Sequence, residues 1–407
     1  MPFKANRIIM TVGIILTLCI LVLLAYVFDF TSAKTKIPSV ILLLALGYLV
    51  KQLCNLFNVV LFDLSGVLPI LGTVGLILIV LEGSLELELN RDKLPLVRKS
   101  VWVALLPIIA LSFGVAITMH LTFGYGLHRA LANAVPLSII SSSIAIPSTR
   151  NFTATQREFV IYESSISDIL GVIFFNFITQ NISFGPLSFG VFFAELIIII
   201  IISFVATGAL SLMLSRLQHH VKFVPIMFLV ILIYEISKVF HLPSLVFILV
   251  FGLFLNNLDK IKHLDFIKKL QPSVLNVEVK KFKELTIEAT FLIRALFFLL
   301  FGYLIETKEL IATDTLAWSV GITAGIFLIR AIVLKLAKMP LMPLVFVAPR
   351  GLITILLFLS LIPQLRIPLV SRPLIIQIII LSALVLMVGA LLNKRPVANE
   401  QVAEYQG

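Results

Sequence analysis

Charged side chains are scarce in this sequence: Asp, Glu, Lys and Arg supply 13% of its 407 residues, whereas apolar residues supply 60%. Such a composition leaves too little polar surface to cover a water-soluble body of this length. The mean hydropathy of +1.11 is spread along the whole chain, so no sizeable soluble domain is expected at either end. The composition therefore predicts an all-α polytopic membrane protein.

Cysteine and histidine are also few. Cys19 and Cys54 lie in or beside apolar segments without metal-ligand spacing, so neither a disulfide framework nor a zinc site is expected. The six histidines lie near the ends of apolar segments or between them, and the sequence contains no His-Glu-x-x-His or Gly-x-Ser-x-Gly motif. We therefore expect no cofactor and no active site of a membrane-embedded protease or acyltransferase.

The net charge of +11 comes from short clusters of Lys and Arg between apolar runs, not from a continuous patch. The clusters indicate membrane topology, and we expect no nucleic-acid partner. Most of them fall on the side that holds the C-terminus, which places the N-terminus outside and the C-terminus in the cytoplasm. With its short tails, the chain is expected in a bacterial inner membrane.

Apolar stretches long enough to cross about 30 Å of hydrocarbon as helix number about thirteen. They form one predicted transmembrane domain over residues 1–393, followed by a short cytoplasmic tail over 394–407. The longest connection, residues 257–285, is rich in lysine and is predicted to be a basic cytoplasmic linker.

The sixth apolar stretch contains acids, which are costly in hydrocarbon and so indicate function. At 100° per residue, Ser164 and Asp168 share one helix face, while Glu163 and Ser167 share another about 100° away. A carboxylate beside a hydroxyl suits a hard cation, so Asp168 is the first candidate for an ion site. Glu163 is predicted to pair with a buried arginine.

Two further stretches carry polar groups. In the fifth, Pro147 follows the hydroxyl-rich run from Ser141, which predicts an interrupted helix near Ala145, Ile146 and Pro147; a plain helix end before Arg150 is the alternative. In the third, Glu82 lies beside a glycine that permits close helix approach, and it is the second ion-site candidate.

Arg294 and Arg350 each lie within apolar stretches, the tenth and the twelfth. Each needs an acidic partner or a water-filled cleft. We expect Arg294 or Arg350 to pair with the acids of the sixth stretch. Arg330 lies two turns from a cytoplasmic end, where snorkelling or structural pairing accounts for it.

Four motifs in this order resemble the monovalent cation/proton antiporter superfamily, and within it the sodium/proton exchangers called the first cation/proton antiporter family. Residues 81–84 are similar to that family's Phe-Glu-Gly-Gly motif, and residues 163–168 to its Glu-Ser-x-x-Asn-Asp motif. The Arg-x-x-Phe-Phe-x-x-Phe-Gly pattern of residues 294–302 and the Arg350-Gly351 pair are also similar to family signatures. The resemblance covers the whole chain.

The resemblance implies an antiporter fold of inverted repeats, in which a six-helix core with two crossing interrupted helices lies beside a dimerisation domain, and it implies a homodimer. It also implies that Asp168 is the alternately protonated ion carboxylate. Ser164, Ser167 and Glu82 would line the same site for a monovalent cation, and Glu163 would be braced by Arg350.

Two departures from the family pattern bear on the ion. Where the family has Thr-Asp-Pro, this chain has Ala145-Ile146-Pro147, and Ser167 replaces the asparagine before the key aspartate. A site with one carboxylate fewer binds a cation more weakly or prefers a different one. With one titrating acid, we expect exchange of one proton per Na⁺ or K⁺ by alternating access. The alternatives are an antiporter-like sensor without transport and a cation channel.

Overall fold

The computed structural model describes residues 2–57, 64–87, 91–149, 152–181, 185–216, 221–240, 242–258 and 272–392. Within these ranges the chain is all-α and contains no strand, as predicted. The helices are α1 (Pro2–Thr35), α2 (Ser39–Leu56), α3 (Val67–Glu86), α4 (Leu94–Phe123), α5 (Leu127–Ser138), α6 (Ser142–Ser148), α7 (Ala154–Gln180), α8 (Pro186–Arg216), α9 (Phe223–Val239), α10 (Leu245–Asn256), α11 (Pro272–Leu304), α12 (Thr307–Leu310), α13 (Thr313–Leu336), α14 (Leu352–Ser360) and α15 (Arg372–Leu392).

The helices make a multi-pass membrane protein. In the described ranges, nine helical segments are long and apolar enough to cross a membrane, with α5 and α6 together forming one of them. Shorter apolar helices, Leu16–Ser32 and Leu245–Asn256, lie beside them. In hydrocarbon every backbone N–H and C=O must be bonded internally, so these apolar runs fold as helices. The count of about thirteen spans stays a prediction.

Helix ends follow local sequence. At the start of α7, the Thr153 hydroxyl accepts a hydrogen bond from the Gln156 backbone, and the Gln156 side chain accepts one from Thr153, which is a capping box. At the end of α4, Gly124 takes a left-handed conformation and its N–H donates to the His120 carbonyl at 2.9 Å. These caps fix where two membrane helices begin and end.

Part of the predicted basic linker is helical, because α11 begins at Pro272 instead of near residue 286. Leu275, Val279 and Phe282 are buried at helical spacing, while Lys280 is exposed, so the start of α11 is an amphipathic helix. Residues 259–271 and the predicted tail over 394–407 lie outside the described residues.

Two helical bundles lie side by side. One contains α2, α3, α8, α10 and α11; the other contains α4, α5, α7, α13 and α15, and α3 contacts α7 between them. In the first bundle α2 and α11 cross at their backbones: a methyl group added to Gly47 would lie 2.1 Å from the Leu299 carbonyl oxygen, and one on Gly302 would lie 2.3 Å from that of Leu44. Only glycine allows this approach.

Two extended segments interrupt helices in the second bundle. One, residues 139–141, separates α5 from α6, and the other, residues 347–351, separates a 3₁₀ turn at Leu344–Phe346 from α14. The segments meet where the Ser141 N–H donates to the Pro349 carbonyl at 2.9 Å. The chain therefore carries two broken helices that touch at their breaks.

The first break is not where the sequence predicts it. Ala145, Ile146 and Pro147 lie within α6, and Pro147 is followed by the last residue of that helix. A proline so near the end of a short helix removes one backbone bond without interrupting the chain further back. The break lies earlier because the backbone N–H groups of residues 140–142 are bonded by Ser167 and Asp168 of α7 and by the carbonyl of Pro349.

Candidate ion-binding site

Asp168 lies at the first break with its side chain fully buried. One carboxylate oxygen, Oδ2, accepts hydrogen bonds from the Ser142 backbone N–H at 3.4 Å and from the Ser142 hydroxyl. The other, Oδ1, has no hydrogen-bond partner among the described residues. In addition, no basic side chain of the described residues forms an ion pair with Asp168. A buried carboxylate in this state has one oxygen free to hold a proton or a cation.

Ser164 and Ser167 of α7 make different hydrogen bonds. Ser167 Oγ accepts a hydrogen bond from the Ile140 N–H at 3.0 Å, so this side chain satisfies a backbone donor of the break. Ser164, one turn before Asp168, donates its hydroxyl to the Val160 carbonyl at 2.7 Å. Its oxygen lone pairs stay available on the face that Asp168 shares.

An acidic cavity of about 350 Å³ leads towards this carboxylate. Glu82 lines it together with Ser142 and Ser143, the first two residues of α6. Asp168 itself does not line the cavity. Since Ser142 both lines the cavity and donates to Asp168, one serine separates the cavity from the buried carboxylate.

The wall of the cavity carries charges of both signs. Asp29, Glu86 and Glu288 add negative charge to that of Glu82, and the positive side chains that line it are Arg157 and Arg294. A cleft lined mainly by one sign of charge raises the local concentration of the opposite ion. The cavity is therefore suited to draw in cations.

Arg294 pairs with no acid of α7. Its guanidinium lies 3.7 Å from the Asp29 carboxylate on α1 and lines the acidic cavity. Asp29 is not among the residues predicted above, and its only signal in the sequence is its position at the end of an apolar stretch. The prediction that Arg294 braces the acids of α7 is therefore wrong.

Glu163 is held by Arg330, not by Arg350 as the resemblance implies. Two bonds at 2.6 and 3.0 Å join the guanidinium and the carboxylate, and both side chains are 1% exposed. Arg330 also donates to the Leu344 carbonyl at 2.7 Å. Arg330 is therefore a buried structural partner of Glu163 and does not snorkel.

Arg350 instead stabilises the break. It donates to the carbonyls of Leu137 at 2.7 Å, Ser138 at 3.2 Å and Ala348 at 3.0 Å. Leu137 and Ser138 end α5, where helix carbonyls have no backbone partner and carry partial negative charge. The buried guanidinium therefore satisfies carbonyls that the interruption leaves unpaired.

Ser142 is the functional neighbour that sequence reasoning missed. The alignment with Thr-Asp-Pro places the lost carboxylate at Ile146, which lies one turn further along α6 and lines the cavity. The residue that meets Asp168 is Ser142, in the run of hydroxyls that the sequence does show. The side-chain oxygen that meets Asp168 thus belongs to a hydroxyl group, which hard cations accept as a ligand.

The family described as "Sodium/hydrogen exchanger, transmembrane" matches residues 18–394. No curated protein sequence matches the chain. Among solved structures, the sodium proton antiporter MjNhaP1 from Methanocaldococcus jannaschii at pH 8 is similar, with a TM-score of 0.68, 16% identity, and coverage of 94% of this chain and 99% of that one. A structure from an electron-microscopy map of the same antiporter has a TM-score of 0.65 and 17% identity, with coverage of 95% of this chain and 99% of that one. At these identities the likeness concerns the fold.

Proposed function

Because the chain belongs to the sodium/hydrogen exchanger family, we propose that it exchanges a monovalent cation for protons at the carboxylate of Asp168. Sodium is the expected cation and potassium the second candidate. The observation that carries the proposal is Oδ1 of Asp168, which is fully buried at a helix break and has no hydrogen-bond partner in the described part of the chain. An unpaired carboxylate in that place is stable only with a proton or a cation bound to it.

Competition at one carboxylate couples the two fluxes. Glu163 is neutralised by Arg330 in every step, so the acid at the break that exchanges its counter-charge is Asp168. One proton leaves for each cation bound, and exchange is electroneutral. Ser164 and Ser142 supply further oxygens, and Glu82 holds the cation in the cavity before it passes Ser142.

Alternating access follows from the two bundles. The cavity reaches Ser142 from the side that carries the end of α3 and the start of α7, which is cytoplasmic if the N-terminus lies outside. Movement of the bundle that holds Asp168 against the other would close this path and open one on the opposite side. We extend the proposal to a homodimer in a bacterial inner membrane.

Transport in proteoliposomes tests the proposal. A preset pH difference is followed with a fluorescent dye after addition of Na⁺, K⁺ or Li⁺, for the wild type, Asp168→Asn and the control Asp314→Asn, which removes an exposed acid at the start of α13. We expect Na⁺ to dissipate the pH difference in the wild type and the control, and the rate in Asp168→Asn to fall about a hundredfold.

Each rival function has its own outcome. A folded wild type that moves no protons with any cation would favour the sensor, which Ile146 in place of a carboxylate makes the second candidate. Cation flux that continues without a proton gradient, and that carries net charge under a clamped voltage, would favour the channel.

A further inference from the structure

A groove runs along the outer face of the second bundle, between α4 and α13. Near the start of α4 it holds a cavity of 650 Å³, lined by Trp102, Leu106 and Leu336 among others. A second cavity of 510 Å³ follows on the same two helices, lined by Gly114 and Trp318 among others. The lining residues of the two cavities lie about one helical turn apart, so they form one path along the helix pair.

One end of the groove is basic. Arg98 and Lys99 line the first cavity and are exposed, and within the described ranges neither forms an ion pair. Lys335 and Lys338 are also exposed, and they flank Leu336 and Ala337, which line the first cavity at the end of α13. Among the described residues at this end, Glu158 is held by Lys93 at 2.6 Å, and Asp92 is exposed and carries a single charge, so these two acids do not neutralise the basic side chains.

The rest of the groove is lined mainly by apolar residues, and no side chain fills it. A methyl group added at Gly114 or at Gly321 would meet no atom within 4 Å, so the glycines leave space that no neighbouring side chain fills. The groove faces the hydrocarbon layer, where an unfilled gap loses dispersion contacts and apolar walls do not hold water. A linear hydrocarbon chain is the occupant that the surroundings supply.

Both tryptophans of the chain lie in this groove. Trp102 is 51% exposed beside the basic end, and Trp318 lies in the second cavity. Tryptophan is enriched where headgroups meet hydrocarbon, because its ring is apolar and its N–H is polar. Trp102 thus places the basic end at headgroup level, whereas Trp318 lies towards the opposite end of the helix pair, five residues from the start of α13.

We propose that the groove binds an anionic phospholipid, whose phosphate lies with Arg98 and Lys99 and whose acyl chain lies in the first cavity beside Leu106 and Leu336. Charge complementarity selects an anionic headgroup over a zwitterionic one, and the apolar lining of the cavity accepts the chain. The site is separate from the Asp168 carboxylate and from the acidic cavity.

Fluorescence quenching tests the headgroup contact. In Trp318→Phe, Trp102 is the sole tryptophan, and it is titrated in phosphatidylcholine vesicles with brominated phosphatidylglycerol. We expect saturation at a low mole fraction, and a half-saturating fraction about tenfold higher in Arg98→Gln/Lys99→Gln. The control Lys280→Gln/Lys283→Gln removes two basic residues from α11 and should leave the titration unchanged. All four side chains lie at least partly in solvent, so the variants are expected to fold.

Three outcomes would overturn the site. Equal quenching by brominated phosphatidylglycerol and brominated phosphatidylcholine would show a general lipid annulus. An unchanged titration in the Arg98→Gln/Lys99→Gln variant would remove the phosphate contact. Displacement of the brominated lipid by inorganic phosphate at constant ionic strength would show an anion site without a lipid.

Discussion

Two buried acids five residues apart on α7 have opposite surroundings. Glu163 is joined to Arg330 by two hydrogen bonds, and both side chains are 1% exposed. Asp168 is equally buried, yet its bonds come from Ser142 and one of its oxygens has no partner among the described residues. Burial alone therefore does not distinguish a brace from a site. The presence of a fixed counter-charge does, because it decides whether a mobile cation has a place to bind.

Their different surroundings follow from helix geometry. Five residues turn an α-helix by about 140° beyond a full turn, so the two acids point to different neighbours. Glu163 faces α13 and its arginine, whereas Asp168 faces the break between α5 and α6. One helix thus links a rigid ion pair to an exchangeable site.

The largest effect is expected from breaking the buried ion pair between Glu163 and Arg330, which acts as a structural brace. Arg330→Met leaves a buried carboxylate without its counter-charge, and we expect the free energy of unfolding to fall by about 3–5 kcal/mol. Denaturation by SDS in mixed micelles measures it. Glu163→Gln/Arg330→Met, which removes both charges, should cost less than Arg330→Met alone. A double variant at least as unstable as the single one would contradict the assignment of this pair as a charge-balanced brace.

The next largest effect on stability is expected from substituting Arg350, which donates to carbonyls at the break. Arg350→Lys keeps the charge but cannot reach three carbonyls with a planar fork, so we expect a loss of about 2 kcal/mol in unfolding free energy. The matched control is Arg366→Lys, since Arg366 also donates to two helix-end carbonyls, at 2.9 and 3.2 Å, but is exposed. The control should change by less than about 0.5 kcal/mol, and equal losses would remove the special role of burial at the break.

Much of this architecture could be predicted from the sequence. Composition predicts an all-α membrane protein. Because a charge in hydrocarbon is costly, the sequence also predicts that Asp168, Glu163 and Arg350 have a structural or functional role. The order of the motifs indicates the exchanger family, which the match over residues 18–394 confirms. These inferences rest on properties of single segments, which the sequence displays directly.

Pairings between segments could not be predicted in the same way. Which arginine meets Glu163 depends on where α13 lies relative to α7, and the sequence shows three arginines in apolar stretches without indicating which of them comes close. The position of the break depends on the bonds that Ser167 and Asp168 make to the backbone of residues 140 and 142, 26 to 27 residues earlier. Proline is a local signal, and here it marks the end of α6 instead of the break.

A smaller effect is expected where Asp168 meets the break. Ser142→Ala removes the hydroxyl that donates to Asp168 and that separates the carboxylate from the acidic cavity. Since an oxygen ligand for the cation is lost while Asp168 is kept, we expect the half-saturating Na⁺ concentration to rise about tenfold with little change in maximal rate. Ser148→Ala is the control on the same helix, because its hydroxyl bonds to the Ile144 carbonyl at 2.6 Å. Equal kinetics in the two variants would place the cation elsewhere.

The smallest effect is expected at a third acid of α7, five residues before Glu163. Glu158 pairs with Lys93 at 2.6 Å, but the two side chains are 39% and 28% exposed, so water and salt screen the attraction. Lys93→Gln should therefore lower the free energy of unfolding by less than about 1 kcal/mol, and by less still at high salt. The same SDS titration compares it with Arg330→Met. Comparable losses in the two variants would mean that pairing stabilises α7 regardless of depth, and the contrast between a buried brace and an exchangeable site would lose its basis. A small loss for Lys93→Gln and a large one for Arg330→Met would instead show that depth makes a counter-charge indispensable, which is the condition under which Asp168, without one, must bind an ion or a proton.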